Sequence, residues 1–409
     1  MAIIVQKYGG SSLADIDKIK KVASIIAVVK KAGYDVAVVV SAMGKTTDSL
    51  IDSAKKLSSD PPGREIDMLL STGERISMSL LCIALNDLGI KAISLTGSQA
   101  GIITNDRHTD ARVIEVRPFR IQDELENGNV VVIGGFQGVS YKRDITTLGR
   151  GGSDTSAVAL AAALNAERCE IYSDIDGVYS ADPSLIKNAQ HLPEISYQQM
   201  QEMSMAGAKV LNAQAVQFAK EAQITLYARS TFNPGKETIV RLLKPEISAG
   251  VKAVVHENDV VKISLIIYSI LSFESLLIYL EQHQVQIKEL NFVSPEETGS
   301  DSKISFVISI KNIIGWENRK TELSNKFRNK IYFIEGLSAV SLIGEGLNRD
   351  NSILQSTLEL LNSQGIKPFG ITTTSFRISL LIEQVQLNNC VTIFHKKWIE
   401  TPLEVPSNI

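Results

Sequence analysis

From residue 1 to about 240, short apolar runs rich in β-branched residues alternate with longer segments of helical spacing. The runs are "AIIVQKY", "DVAVVVSA", "KAISLTG", "NVVVIGG", "CEIYSD" and "TLYARS", and the helical segments fall at 13–32, 47–57, 65–88, 154–165 and across 196–221. This alternation predicts a largely parallel sheet covered by helices on both faces, an α/β domain of three layers, α/β/α. In such a sheet, ligands sit beyond the carboxyl ends of the strands. Five glycine-bearing turns come directly after apolar strands: "KYGGSS" (7–12), "SAMGKTTD" (41–48), "TGSQAG" (96–101), "GGFQG" (134–138) and "SDIDGVYSADP" (173–183). Their shared position predicts that they converge on one sheet edge, around one site.

Past Pro234 and Pro245 the texture changes. Residues of about 260–344 read as strand, helix 272–283, strand, the polar loop "SPEETGSDS", strand and helix 316–329. The same order then returns through "LSAVSLIG", helix 351–363, "IKPFGITTT", "FRISLLI" and a last helix near 384–398. A small α+β unit of ferredoxin-like order is thus expected twice.

Composition narrows the function classes. With 409 residues, 44% hydrophobic and 21% charged, the chain is long enough for two or three globular domains. A net charge of −3 without long runs of one sign offers no footprint for nucleic acid or an anionic membrane. Cys82, Cys169 and Cys390 stand far apart without CxxC spacing, and the five histidines form no HxxxH pair, so no metal site is expected. The apolar run before Lys7 is too short for a signal peptide or span, and 260–280 is interrupted by Lys262 and Glu274. A cytoplasmic protein acting on small molecules is the expectation.

The stretch "TTLGRGGSDTSAVALAAAL" (146–164) sets an arginine among glycines directly before an alanine-rich helix. Two readings stand side by side: Ser153 or Asp154 caps the helix, or the glycines let an anion approach its unpaired N–H groups. Lys7, before Gly9 and Gly10, would meet a phosphate held by the next helix start, or simply extend to water from a strand end. "VSAMGKTT" fails as a P-loop because Val39 stands where the first glycine belongs, and "GRGGSD" fails the dinucleotide pattern at Asp154. Glu74, in "LLSTGERIS", supplies a carboxylate for an ammonium, or is a solvated helix residue. Arg150 supplies a planar fork for a carboxylate. Taken together, Glu74 and Arg150 describe an amino-acid site.

These blocks, "VQKYGGSSLAD", "VVVSAMGKTTD", "LLSTGERIS", "GFQGV", "TTLGRGGSDTSAVALAAALNA" and "CEIYSDIDGVYSADP", resemble in order those of the aspartokinases, the aspartate kinase branch of the amino acid kinase superfamily. The resemblance implies a kinase domain over 1–245 and two regulatory ACT-like units over 255–335 and 336–409, whose strands can interleave. It implies transfer of a phosphoryl group from ATP, carrying Mg²⁺, to L-aspartate. By resemblance Lys7 neutralises the transferring group, with Tyr8, Gly9 and Gly10 beside the nucleotide, and Ser41 and Thr47 lie near the phosphates and the aspartate. Glu74 matches the carboxylate that holds the substrate ammonium, and Arg150, followed by Gly151, Gly152 and Ser153, the arginine that grips its α-carboxylate. Asp154 organises the phosphate lysines, Lys209 is a second cation there, and Ser173, Asp174, Tyr179 and Asp182 match nucleotide contacts. An amino-acid effector at the ACT-like units and a homo-oligomer are also implied.

Three departures stand out. Ser184 occupies the place of an arginine after "ADP", with Lys187 as a substitute. "YSILSFES" (268–275) and "NRDNSIL" (348–354) lack the Pro-Gly turn of effector-binding ACT units, and "TSFRIS" replaces "TSEIRIS". Feedback by lysine and threonine is therefore expected to be lost or altered. A glutamate or acetylglutamate kinase and a non-catalytic sensor are the alternative readings; Glu74 with Arg150 argues for a free amino acid and the paired ACT-like tail for aspartate, while intact Lys7, Arg150, Asp154 and Lys209 argue against the sensor.

Overall fold

The chain begins with β1 (Ile3–Tyr8), α1 (Ile16–Lys31), β2 (Asp35–Val40), α2 (Thr46–Leu57), α3 (Gly63–Asp87) and β3 (Ala92–Leu95). Next come β4 (Ile102–Thr104), β5 (Val113–Val116), α4 (Phe119–Glu126), β6 (Val130–Gly134), β7 (Gln137–Ser140), β8 (Ile145–Thr147), α5 (Gly152–Ala163) and β9 (Arg168–Ser173). Then follow β10 (Val178–Tyr179), β11 (His191–Leu192), β12 (Glu194–Ser196), α6 (Tyr197–Met205), α7 (Ala213–Ala222), β13 (Leu226–Ser230) and β14 (Glu237–Arg241). These elements come from a computed structural model that describes residues 1–58, 60–149, 151–244, 250–267, 270–283, 285–293, 302–313, 315–328 and 330–401. The polar loop expected around 294–301 lies outside them.

Two compact units divide the chain. The first comprises Met1–Tyr179, His191–Met205 and Lys209–Pro245; the second comprises Ser180–Gln190, Ala206–Ala208 and Glu246–Ile409. In the first, eight strands form one sheet in the order β12-β14-β13-β9-β1-β2-β6-β3. From β13 to β3 every neighbouring pair is parallel, β14 runs antiparallel to β13, and β12 pairs parallel with β14. The expected α/β/α sandwich is therefore present, and the turns after β9, β1, β2, β6 and β3 leave from one edge. β2 is buried at every residue, as a central strand covered on both faces must be.

The covering helices follow their sequence periodicity. α1 buries Ile19, Val22, Ala23 and Ile26 at i, i+3, i+4, i+7 spacing, and Asp15 caps it by accepting from Lys18 N–H at 2.9 Å. α3 buries Met78, Leu81 and Leu85 against the same sheet face, and also buries Leu70, Asp67 and Glu74. It is long and apolar enough to cross a membrane by length and composition, and half of its apolar window is buried in the fold. α5 is buried from Gly152 through Ala161, because its small side chains let it lie close on the opposite face. A smaller sheet, β5-β4-β7-β8, stands apart from the main one. Sequence pattern alone leaves it undetected, since strands of three or four residues carry too little periodicity.

The second unit contains β15 (Gly250–Ile267), α8 (Ile270–Gln282), β16 (Lys288–Val293), β17 (Ser302–Ser309), α9 (Trp316–Lys326) and β18 (Ile331–Glu345). They are followed by α10 (Ser352–Ser363), β19 (Gly370–Thr373), β20 (Arg377–Glu383) and α11 (Leu387–His395). Its antiparallel sheet has the order β16-β17-β15-β18-β20-β19. The two long strands run through both α+β halves: Val260–Leu265 pairs with 331–337, whereas Gly250–Glu257 pairs with 339–345. Each half has its own core, one around Ile263, Phe306, Leu276 and Leu323, the other around Val254, Leu342, Leu361 and Phe394. The segment Ser180–Gln190 belongs to the second core through Ala181 and Ile186. There Ser180 Oγ lies 2.9 Å from His395 Nε2, and Val254 N–H donates to its carbonyl at 2.7 Å.

In the first unit, on the sheet face away from α5, Glu170 gathers a polar network. It accepts from Gln6 at 2.8 Å, Tyr172 at 3.1 Å, Arg168 at 2.8 Å and Arg229 at 2.7 Å. Burial alone would raise its carboxyl pKa; Arg229, Arg168 and Gln6 outweigh burial and hold it below the ordinary range. Removing Glu170 leaves two guanidinium groups facing a buried gap. Glu170→Ala is expected to cost roughly 2–4 kcal/mol, read as a lower urea midpoint, and more than Glu170→Gln, which keeps the packing.

Candidate active site

The site begins with a strand alternation. In β1, Tyr8 turns into the core, fully buried and stacked on Tyr172 with ring centroids 4.8 Å apart, while Lys7 turns toward α5. Lys7 Nζ lies 2.7 Å from Asp154 Oδ1, and each side chain is only 11% exposed. Asp154 stands in the first turn of α5, where a carboxylate also complements the helix N-terminus. Gly151, at φ 72°, opens that helix in the left-handed region.

Close backbone approach locks the neighbouring turns together. A Cβ on Gly10 would come within 2.8 Å of the Ala42 carbonyl, and Gly44 N–H donates to Gly10 O at 3.0 Å. Gly9 N–H donates to Tyr172 O at 3.1 Å, Ser12 Oγ lies 2.6 Å from Thr231 Oγ1, and Ser11 Oγ donates to Asp174 at 3.4 Å. The turns after β1, β2 and β9 thus form one glycine- and serine-lined rim beside the Lys7–Asp154 pair.

Glu74 enters the same edge from α3. Gly73 lets α3 meet the turn after β2, since a Cβ there would lie 2.8 Å from the Ala42 methyl. Glu74 Oε1 accepts from Ala42 N–H at 3.1 Å, Ser77 Oγ donates to the Ser41 carbonyl at 2.7 Å, and Glu74 Oε2 is buried with no partner. Burial pushes the Glu74 carboxyl up to about 7, against the pull of hydrogen bonds that include Ala42 N–H. A carboxylate oxygen buried and unpaired asks for a donor, and an ammonium supplies one with charge.

The other expected residues fall as follows. Ser153 borders Gly135, whose Cβ would lie 3.0 Å from it, and Gly134 in turn borders Glu74. Thr47 lies in the first turn of α2, next to Thr46, whose methyl faces Gly73. Ser173 stands beside Thr231 through its carbonyl, and Tyr179 donates to Asp176 at 3.0 Å with Lys236 over its ring. Gly151 abuts Asn212, which caps α7, and Lys209 is exposed three residues before that cap. Asp182 packs with the second unit, where its Oδ1 accepts from both the N–H and the hydroxyl of Ser184 at 2.9 and 2.6 Å. The ring of Tyr8, being core, leaves only backbone for a nucleotide. Arg150 lies outside the described residues.

Sequence reasoning missed one cluster. Asp67, fully buried two turns before Glu74 on the same face of α3, accepts from Thr147 at 2.5 Å and from Thr109 N–H at 3.0 Å, and lies 2.6 Å from His108 Nδ1. Burial raises its pKa, while Thr147, His108 and Thr109 oppose that rise. The signal was available: an acid on the apolar stripe of a helix.

The pattern of the amino acid kinase family matches residues 2–230. An aspartokinase of Mycolicibacterium smegmatis is 40% identical over 404 residues, covering 97% of this chain and 96% of its own. The chain belongs to the aspartokinases, within the amino acid kinase family. Among solved structures, the aspartate kinase from Synechocystis is 34% identical with a TM-score of 0.55, covering 100% of this chain and 71% of its own. Aspartokinase III from E. coli, solved with aspartate and ADP, has a TM-score of 0.79 at 23% identity, covering 96% of this chain and 99% of its own. That last likeness is one of fold.

In this aspartokinase the raised Glu74 pKa makes a stability prediction. The folded state keeps its proton up to a pH of about 7, whereas an unfolded glutamate loses it near about 4.3. Between those values the folded state binds more protons, so stability falls as pH rises through the window and is lowest above it. Glu74→Gln removes the slope. It should match the parent below about pH 4.5 and exceed it by up to about 3 kcal/mol near pH 8, seen in paired thermal melts.

Proposed function

We propose that this aspartokinase transfers the γ-phosphoryl group of ATP to the β-carboxylate of L-aspartate, yielding aspartyl 4-phosphate and ADP. The product is the first intermediate toward lysine, threonine and methionine. A carboxylate oxygen forms the new P–O bond as the bond to the β-phosphate oxygen breaks, and the charge leaves on ADP. The β-carboxylate is already ionised near neutrality, so no general base is needed. What remains is positioning and positive charge around the transferring group.

The observation that carries this reading is the Lys7–Asp154 pair at 2.7 Å beside the interlocked glycine turns. Asp154 keeps the Lys7 ammonium aimed at the rim where phosphates would lie, and Gly9 and Gly10 leave backbone free of Cβ atoms there. Lys209 adds a second cation, and Mg²⁺ carried by the nucleotide supplies further charge on the phosphate oxygens. Glu74 Oε2 takes the substrate ammonium, Arg150 its α-carboxylate, with Gly151, Gly152 and Ser153 completing that loop and Ser41 and Thr47 between aspartate and phosphate. Ser173, Asp174 and Tyr179 contact the nucleotide. The enzyme works in the cytoplasm as a homo-oligomer of kinase domains, 1–245, each followed by ACT units over 255–335 and 336–409.

Feedback by lysine and threonine is lost or altered. "NRDNSIL" gives the strand-to-helix turn before α10 no Pro-Gly pair, and there the Asp350 carboxylate accepts from Ser352 N–H at 2.8 Å.

Two measurements test these statements. With Mg-ATP, L-aspartate and hydroxylamine, the parent should accumulate a coloured hydroxamate, and Lys7→Ala should lower its rate on the order of 10²–10³-fold. No colour with aspartate, glutamate or acetylglutamate from a folded protein would favour a non-catalytic sensor. In the same assay, submillimolar lysine or threonine should leave the rate unchanged, and inhibition by either would overturn the loss of feedback.

A further inference from the structure

The turn after β13 brings to the ligand edge a cation that no sequence motif marks. β13 runs parallel to β9, so its following turn, 231–236, leaves from the same edge as the turn after β9. The two turns are sewn together. Thr231 N–H donates to the Ser173 carbonyl at 2.9 Å, and Thr231 Oγ1 meets both that carbonyl, at 3.1 Å, and Ser12 Oγ, at 2.6 Å. At the far end of the turn stands Lys236. Its Nζ lies 5.6 Å from the centroid of the Tyr179 ring and 3.5 Å from the Tyr179 hydroxyl, which itself donates to Asp176 at 3.0 Å. The root of Lys236 is fixed on both sides. Arg229 and Glu237 close the β13–β14 hairpin at 2.5 Å, and Asn233 N–H donates to Ser230 Oγ at 3.1 Å. Two residues beyond Lys236, Thr238 Oγ1 accepts from Val178 N–H at 2.7 Å and donates to the Leu192 carbonyl at 2.6 Å, which ties β14 to the β10–β11 ribbon carrying Tyr179. On that ribbon the rings of Tyr179 and His191 meet edge to face with centroids 5.3 Å apart, and a Cβ on Gly177 would lie 2.6 Å from His191 Nε2. Burial and the Lys236 charge hold the His191 pKa below the ordinary range, so the imidazole is neutral at neutral pH. Lys236 itself is exposed, and none of the described carboxylates pairs with it; Asp176 is joined to it only through the Tyr179 hydroxyl.

We propose that Lys236, laid over Tyr179 at the ligand edge, binds a phosphate of the nucleotide that stays on ADP. An ammonium offers three donors and a full charge, and the anionic part of ATP is its phosphate chain. A lysine ordinarily loses rotamer entropy when it is held in one geometry. Here the root is anchored and the head rests on an aromatic ring before any ligand arrives, so less is lost on binding. Lys7, paired with Asp154, is assigned to the group that moves. Lys236 therefore makes a contact that is equal in the ground state and the transition state, and its effect belongs to nucleotide affinity rather than to kcat. The inference rests on the ATP reading of this edge, and a parent that neither turns over nor binds ADP would refute that reading rather than this one.

The test sets ADP against adenosine as inhibitors of the intact chain, because adenosine keeps the base and ribose and lacks the phosphates. Lys236→Met, which keeps an unbranched stem over the ring without the charge, should raise KM for ATP and the inhibition constant of ADP about fivefold. The inhibition constant of adenosine, KM for aspartate and kcat should stay within about twofold, and Lys236→Arg should keep all the parent values within the same range. The rise of KM for ATP with added KCl should be shallower in Lys236→Met than in the parent, since one screened contact is gone. Melting temperatures of both variants identify a loss of fold. Equal weakening of ADP and adenosine would make Lys236 a prop for Tyr179 alone and overturn the assignment. An unchanged ADP constant in Lys236→Met, or a well-folded Lys236→Arg that behaves like Lys236→Met, would overturn it as well.

Discussion

The first unit depends on keeping an ammonium and a carboxylate together at the edge of an apolar sheet. Lys7 and Asp154 are each almost buried, and such charges are tolerable only when paired and well placed. The pairing requires α5 to lie close on β1. That in turn requires a helix of alanine, serine and glycine, with Gly135 and Gly152 where any Cβ would collide. The same closeness that satisfies the pair brings the amino end of α5 to the rim of glycine turns. One packing requirement thus accounts for the composition of α5 and for its place in the site.

α3 illustrates a second principle, that equal side chains differ by what surrounds them. Asp67 has three partners that favour its charge and oppose the penalty of burial. Glu74 has a backbone donor on one oxygen and an empty place on the other, and its pKa rises to about 7. In the proposed reading the oxygen that takes the substrate ammonium is left unsatisfied in advance, and the same helix carries a second buried acid whose hydrogen bonds are made.

Much of the fold was legible in the sequence because parallel strands buried on both faces are long apolar runs. β1, β2, β6 and β9 announce themselves in this way, and the glycine turns after them mark the edge. The duplicated α+β order was legible because strands and helices return along the chain in the same order. The small sheet β5-β4-β7-β8 was not, since its strands are short and the residues that pair them lie up to about forty positions apart. With it went Asp67, whose partners Thr147 and His108 are separated from it by 80 and 41 residues.

The sequence by itself determined which residue types stand at the strand ends: Lys7 before its glycines, Glu74 in its apolar helix, Asp154 at the start of an alanine-rich one. Local spacing and propensity suffice for that, because strand ends and helix starts are set within a few residues. Only the tertiary structure decided that Lys7 points to Asp154 while Tyr8 joins the core, that Glu74 keeps an unpaired oxygen, and that Asp67 binds Thr147. It also decided that Ser180–Gln190, which follows directly on the first unit's chain, packs with the second. Those outcomes turn on which surfaces come within a hydrogen-bond length of one another, and no pattern along the chain records that distance.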